Sequence, residues 1–342
     1  MFAKKIVAGA ALLALAATAQ AQVKVYGYVE LGVGSYKAAE VGAKSTTEGS
    51  SGNRMTSFIG FSGSEDLGGG LKAEFTLESF IAPDTGSASA VYNNAGGFWG
   101  RGSNIALSGG FGKMALGQYD TPLFVAGLSY NPFGSSMMFS PTMRHYYGLG
   151  LGVNGGTGRA LTTDTGWVNS VTYETPNMGG FMATLQWSPK ESSDAGTKDS
   201  FTLGASYNAG PLSLMGVYAS HGYAAPTGPF IGKQKVYSLN ASYDFSVVKA
   251  FVQYTDVDNA DTTLDDTLFQ VGATVPVSAA GNVMVSYGQL KTDDTDLKNK
   301  IFSLGYDHSL SKRTGVYVAL TNEKATDLKG ANTFAVGLRH AF

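Results

Sequence analysis

The sequence predicts an all-β fold: a transmembrane, 16-stranded antiparallel β-barrel closed on itself. Three observations predict it. Apolar residues recur at every second position in run after run. The connections between runs alternate between short turns and long polar loops. The final run, Phe334, Val336, Leu338, Phe342, keeps its alternation to the end, where sheet closure requires a strand rather than a polar tail.

Residues 1–21 stand apart from this pattern. Lys4 and Lys5 precede an apolar stretch from Ile6 to Ala17, and Ala19-Gln20-Ala21 has the small residues of a cleavage site. That order predicts a signal peptide over 1–21, a mature start at Gln22 and a barrel over 22–342. The apolar stretch is too short to span a bilayer as a helix.

Lys and Arg number 24 against 26 Asp and Glu, a formal charge of −2, and loss of Lys4 and Lys5 makes the remainder more acidic. No basic run offers a surface for nucleic acid. The absence of cysteine excludes disulfides and thiolate metal sites. Gly at 46 residues has no three-residue period, and 43 % hydrophobic residues exclude a disordered chain. No stretch of 22–342 is long and apolar enough for a spanning helix. The classes left are a large soluble β-protein and a membrane barrel.

In order, the predicted strands lie near 23–36, 53–66, 69–82, 97–108, 111–119, 166–176, 179–188, 199–209, 211–221, 233–246, 247–257, 266–277, 281–291, 299–310, 312–323 and 332–342. The first sets Val23, Val25, Val29, Leu31 and Val33 against Lys24, Tyr26, Tyr28 and Glu30. The third sets Leu71, Ala73, Phe75 and Leu77 against Lys72, Glu74, Thr76 and Glu78. Later runs repeat this. Turns such as Asp66-Leu67-Gly68-Gly69 and Asn208-Ala209-Gly210 alternate with long loops, of which 120–165 is much the longest. A soluble sandwich also alternates, with its apolar parity inside. Two features favour the membrane barrel: the terminal strand, and aromatics near strand ends (Tyr173, Trp187, Tyr207, Tyr218, Tyr243, Tyr254, Tyr287, Tyr306, Tyr317) placed as interfacial girdles.

At these residues the sequence resembles the general-diffusion porins of Gram-negative bacteria, in particular the β-proteobacterial group. "GFSGSEDLGGGLKAEFTLE" (60–78) is similar to that family's second strand, turn and third strand. "LSGGFGKMALG" (107–117), "NSVTYETPNMGGF" (169–181), "HSLSKRTGVY" (308–317) and the ending "VGLRHAF" follow in the family's order. The resemblance implies passive diffusion of small hydrophilic solutes and ions, an outer-membrane location among lipid and lipopolysaccharide, and a homotrimer. It further implies a third loop, about 120–165, folded inward, and a terminal aromatic, Phe342, read by the barrel-assembly machinery. The loop's own composition agrees, since "LFVAGLSYNPFGSSMMFSPTMRHYYGLGLG" is too apolar for a free surface loop.

Selectivity in such a pore comes from its width and from the charges facing across it. The family places basic residues on the barrel wall. Two of those positions here read Phe58 and Ser62, the "GR" after strand five reads Gly117-Gln118, and the one before "NSV" reads Gly166. The arginine before strand four is kept as Arg101. Candidate pore residues are therefore Arg101, Arg54, Lys72, Arg144 and Arg159, with Gln118, against Glu30, Glu74, Glu78 and Asp120. This roster predicts weak anion selectivity, close to neutral. Arg339 has the lumen parity of the last strand.

No constellation for catalysis is evident and no cofactor is implied: the four histidines are scattered, and the Gly-rich stretch near 152–158 lacks a phosphate-loop Lys. "DVDNADTTLDD" lacks calcium-loop spacing and reads as a solvated loop. Two other readings stay open on the residues alone, a channel preferring small organic acids and a plugged structural or adhesive barrel.

Overall fold

A computed structural model describes residues 22–37, 44–88, 97–147, 161, 165–190, 198–224, 231–259, 265–328 and 330–342; the expected leader lies outside them. Seventeen strand segments form one antiparallel sheet: β1 (Lys24–Tyr36), β2 (Thr46–Ser51), β3 (Phe58–Gly68), β4 (Leu71–Phe80), β5 (Gly102–Gly109), β6 (Gly112–Asp120), β7 (Gly166–Glu174), β8 (Phe181–Ser188) and β9 (Ser200–Ala209) make the first half. The second half is β10 (Leu212–Ala224), β11 (Ile231–Asp244), β12 (Lys249–Asn259), β13 (Asp266–Pro276), β14 (Gly281–Thr292), β15 (Lys298–Ser309), β16 (Thr314–Ala325) and β17 (Ala331–Ala341). From β3 onward each strand pairs with the next, and β17 pairs with β1 from Tyr28↔Ala341 to Tyr36↔Thr333. The sheet is closed, so no edge is left to solvate or to aggregate.

The segments occupy sixteen barrel positions, because β2 and β3 share one. β2 pairs with the upper part of β1 (Leu31↔Ser51) and β3 with its lower part (Tyr28↔Phe58). The run expected at 53–66 thus starts only at Phe58, and β2 forms between the runs expected at 23–36 and 53–66, where a loop is expected. Gly52 takes φ +78°, and the Ser57 hydroxyl accepts the Glu30 amide at 2.9 Å in place of a backbone carbonyl. Elsewhere the expected strands lie within a few residues of those observed. The β3–β4 turn runs through Gly68, Gly69 and Gly70, all at positive φ, which only glycine adopts cheaply.

Burial is inverted relative to a water-soluble protein. Leu31, Ile105, Leu203, Leu239, Val271, Leu304 and Val336 are exposed, while Thr202, Gln234, Ser238, Gln253, Gln270, Ser303 and Thr321 on the alternate parity are buried. A lipid-facing exterior accounts for both. No helix among the described residues is long and apolar enough to cross a membrane; the strands are the spanning elements. Tyr317 departs from the girdle expected of it. It is buried on the polar parity with its hydroxyl donated to Glu30.

The segment after β6 carries two short helices, α1 (Pro122–Ser129) and α2 (Pro141–Tyr147). Thr121 caps α1, accepting the Phe124 amide at 3.1 Å, and Pro122 starts it where a missing amide costs nothing. Both helices pack on the polar-parity side of the sheet. Leu123, Ala126, Tyr130, Tyr146 and Leu161 meet Met215, Val217, Val236, Val257, Leu268 and Leu290 from β10–β14. Phe133 and Phe139 meet Met284, Tyr317, Ala319 and Ala335 from β14, β16 and β17. The apolar clusters of the described residues therefore lie where this segment meets the wall.

Candidate functional site

Wall glutamines position the segment 121–147. Gln253 donates to the Ala126 carbonyl at 3.0 Å, and Gln270 accepts the Thr142 amide at 2.9 Å and its hydroxyl at 2.6 Å. Arg144 is paired with Glu323, which also accepts from Asn299 at 2.6 Å. His145 sits beside them, its Nε2 3.3 Å from Asn299 Oδ1. Burial pushes the His145 imidazole down to about 4, against the opposing pull of the Glu323 carboxylate, so the ring is neutral at pH 7.

This docking on β10–β17 leaves a cavity of about 620 Å³ bounded by β1, β4–β10 and α1. Its charged groups come from β4–β7 and the residue before β5. Arg101 lies 3.4 Å from Glu78 and 4.1 Å above the ring of Phe58. Tyr26 donates to the other oxygen of Glu78 at 2.7 Å. Lys113 lies 3.2 Å from Glu74, and Tyr119 donates to Glu174 at 3.0 Å. The side near β8–β10 contributes neutral groups: Thr184, Ser206, Asn208, Ser213 and Met215.

Of the candidates read from sequence, Arg101, Glu78, Gln118 and Asp120 line this cavity, and Glu74 joins through Lys113. Gln118 is also a tether, donating to the Gly100 carbonyl at 2.6 Å. Lys72 sits near the β3–β4 turn, paired across the sheet with Asp66, and does not line the cavity. Arg54 and Arg144, expected as pore-lining cations, are largely withdrawn from water. Arg54 donates to the Phe133 carbonyl at 2.6 Å and lies 3.7 Å from Asp307, with its side chain 18 % exposed. Glu30 is fully buried behind Tyr317. Arg159 lies outside the described residues. Arg339 is on the lumen parity, donating to Asp307 at 3.0 Å.

Lys113, Glu174 and Tyr119 were missed. Lys113 and Glu174 stand beside short turns, where charge reads as solvated. Tyr119 has the inner parity of Lys113 and Ala115, but an aromatic at a strand end reads as a girdle residue. A β-bulge between Gly117 and Tyr119, with Gly117 at φ +117°, resets the alternation and brings Gln118, Tyr119 and Asp120 together to the cavity.

A closed barrel with an apolar exterior and a charged interior cavity agrees with what known proteins show. The family model described as Gram-negative porin matches residues 8–328. The chain belongs to the Gram-negative porins. Among curated relatives, outer membrane porin protein 32 of Delftia acidovorans is 34 % identical over 369 residues, covering 99 % of both proteins. The major outer membrane protein P.IB of Neisseria lactamica is 29 % identical over 360 residues, covering 99 % of this chain and all of that one. In structure this porin is similar to the anion-selective porin from Comamonas acidovorans, with a TM-score of 0.78, 29 % identity, and 94 % and 100 % of the two chains covered. The trimer form of OmpT from Vibrio cholerae, at 15 % identity and TM-score 0.67, covering 94 % of this chain and 99 % of that one, shares the fold. The protein is an outer-membrane porin, and the relatives are channels rather than enzymes.

Proposed function

We propose that this porin is a passive, water-filled channel for small hydrophilic solutes and ions, narrowed by the segment 121–147 folded into its lumen and assembled as a homotrimer. We further propose that its ion selectivity is close to neutral. The observation that carries this is the pairing of its cations. Arg101 faces Glu78 and Lys113 faces Glu74, Arg144 is committed to Glu323, and Arg54 shares Asp307 with Arg339. A neutralised pair leaves little field to sort ions by sign. Gln22 as mature start and Phe342 as the group read during assembly complete the proposal.

Planar-bilayer recording tests it. Pure protein is expected to give open-channel steps that close in three equal decrements, and a zero-current potential near zero across a potassium chloride gradient. No channel activity would favour the plugged barrel. A strongly anionic potential would overturn near-neutrality, and saturable block by a small carboxylic acid would favour a substrate-preferring channel.

A further inference from the structure

The interruption between β2 and β3 has a role that the barrel's closure does not account for. Residues 52–57 leave the ladder and meet the tip of the segment between α1 and α2. The Asn53 carbonyl accepts the Ser136 hydroxyl at 2.5 Å, and Ser136 accepts the Phe139 amide at 2.8 Å. Arg54 reaches the Phe133 carbonyl at 2.6 Å and Met284 Sδ at 3.5 Å, with Asp307 as its counter-charge. Behind the break stands Glu30, fully buried, its carboxylate accepting from Tyr317 and facing the backbone amides of Gly52, Asn53 and Arg54. Ser57 satisfies the Glu30 amide and so stabilises the departure from pairing. Tyr36 adds a bond to the Asn53 side chain at 3.2 Å.

We propose that the β2–β3 break is a socket that holds the 131–139 turn against the wall, with Arg54 and Glu30 as positioning residues that keep the channel in its fully open state. Arg54 acts here through its reach and its two-sided bonding rather than as a charge seen by passing ions. Glu30 acts at one remove, by turning three amides inward and setting where Arg54 leaves the sheet. An isolated buried carboxylate is costly unless polar groups surround it; Tyr317 donates to Oε1, while Oε2 accepts no hydrogen bond from the described residues, so the carboxylate depends on the nearby 52–54 amides. The proposal rests on the reading of 121–147 as the constriction loop.

Single-channel recording of Arg54→Ala, Arg54→Lys, Glu30→Gln and Ser136→Ala tests it, each purified as the folded full-length protein. In Arg54→Ala the mean dwell time in the full-conductance state is expected to fall about tenfold or more, the factor for one lost charge-assisted hydrogen bond. Arg54→Lys, which keeps the charge, should recover only part of it, and the zero-current potential should move little in either. Glu30→Gln should act in the same direction and combine less than additively with Arg54→Ala. Should Glu30→Gln not fold, Ser136→Ala reads the same socket by removing one hydroxyl. Wild-type dwell times in both Arg54→Ala and Ser136→Ala overturn the socket and leave the pore reading standing. A large shift in the zero-current potential of Arg54→Ala with unchanged dwell times returns Arg54 to the role of pore cation. Absence of channels in the wild type refutes the pore reading itself.

Discussion

Gly27 makes room for an aromatic ring. A Cβ there would lie 2.5 Å from the Phe342 ring and 2.5 Å from the Phe58 carbonyl, while the backbones of Gly27 and Phe342 exchange two hydrogen bonds at 3.1 Å. The glycine and the ring form one closure contact, an arrangement in which an aromatic covers a bare strand glycine. Gly27→Val should therefore cost about 1–3 kcal/mol through overpacking and lower the yield of folded barrel on a heat-modifiability gel. Gly49→Ala, whose Cβ has nothing nearer than 3.9 Å, should leave it unchanged. Deletion of Phe342 should reduce assembly more than it reduces the conductance of what assembles. His145 supplies a second prediction. Its pKa is lowered, to about 4, so the fold is favoured by the neutral ring at pH above the unfolded value of about 6.5. That stabilisation is lost as pH falls from about 6.5 to 4, amounting to about 3 kcal/mol. Thermal unfolding in detergent should show a steeper acid loss in the wild type than in His145→Gln; parallel curves would count against it. The groups facing His145 are Glu323, Arg144 and Asn299, with Glu323 paired to Arg144.

Buried charge holds the segment after β6 at two places. Arg144 with Glu323 fixes α2, and Arg54, donating to the Phe133 carbonyl, fixes the turn before it. Removing one partner of a buried pair leaves the other uncompensated, typically at 3–5 kcal/mol. Arg144→Ala should accordingly loosen α2 and raise open-channel current noise, whereas Arg144→Ala with Glu323→Gln should be quieter than either change alone. Equal noise in all three would argue that the apolar contacts of Tyr146 and Leu290 suffice. The docking side was legible in part: Val217, Ala219, Val236, Val257, Leu268, Leu290 and Ile301 are apolar on the parity that elsewhere carries Glu, Thr and Gln. From β10 onward the inner parity sets these apolar residues among Ser, Thr and Gln, where the segment docks on the wall. The break at 52–57 was not legible. "SSGNRMTSF" alternates weakly, and only the distant Glu30, Tyr317 and Ser136 show why it leaves the ladder.

For the whole molecule, strand number and placement could be read from one chain, because a barrel's two environments, lipid and water, write a period of two into every strand. Charge placement could not. Arg54, Arg101 and Arg144 look alike in sequence, as basic residues near strand ends or in a loop. The fold gives them three different surroundings: a turn carbonyl with Asp307, the Phe58 ring with Glu78, and Glu323 with Asn299. Arg101 meets Glu78 on the neighbouring strand, while the partners of Arg54 and Arg144 are far along the chain, where no local pattern encodes a contact. The alternation, the turn glycines and the closing strand determined by themselves that this chain folds as a barrel in a membrane, since those signals are local and repeat at every strand. Which cations still face water, where the 121–147 segment docks and which strand breaks to receive it were decided by the tertiary structure, because those depend on side chains that meet only once the sheet has closed.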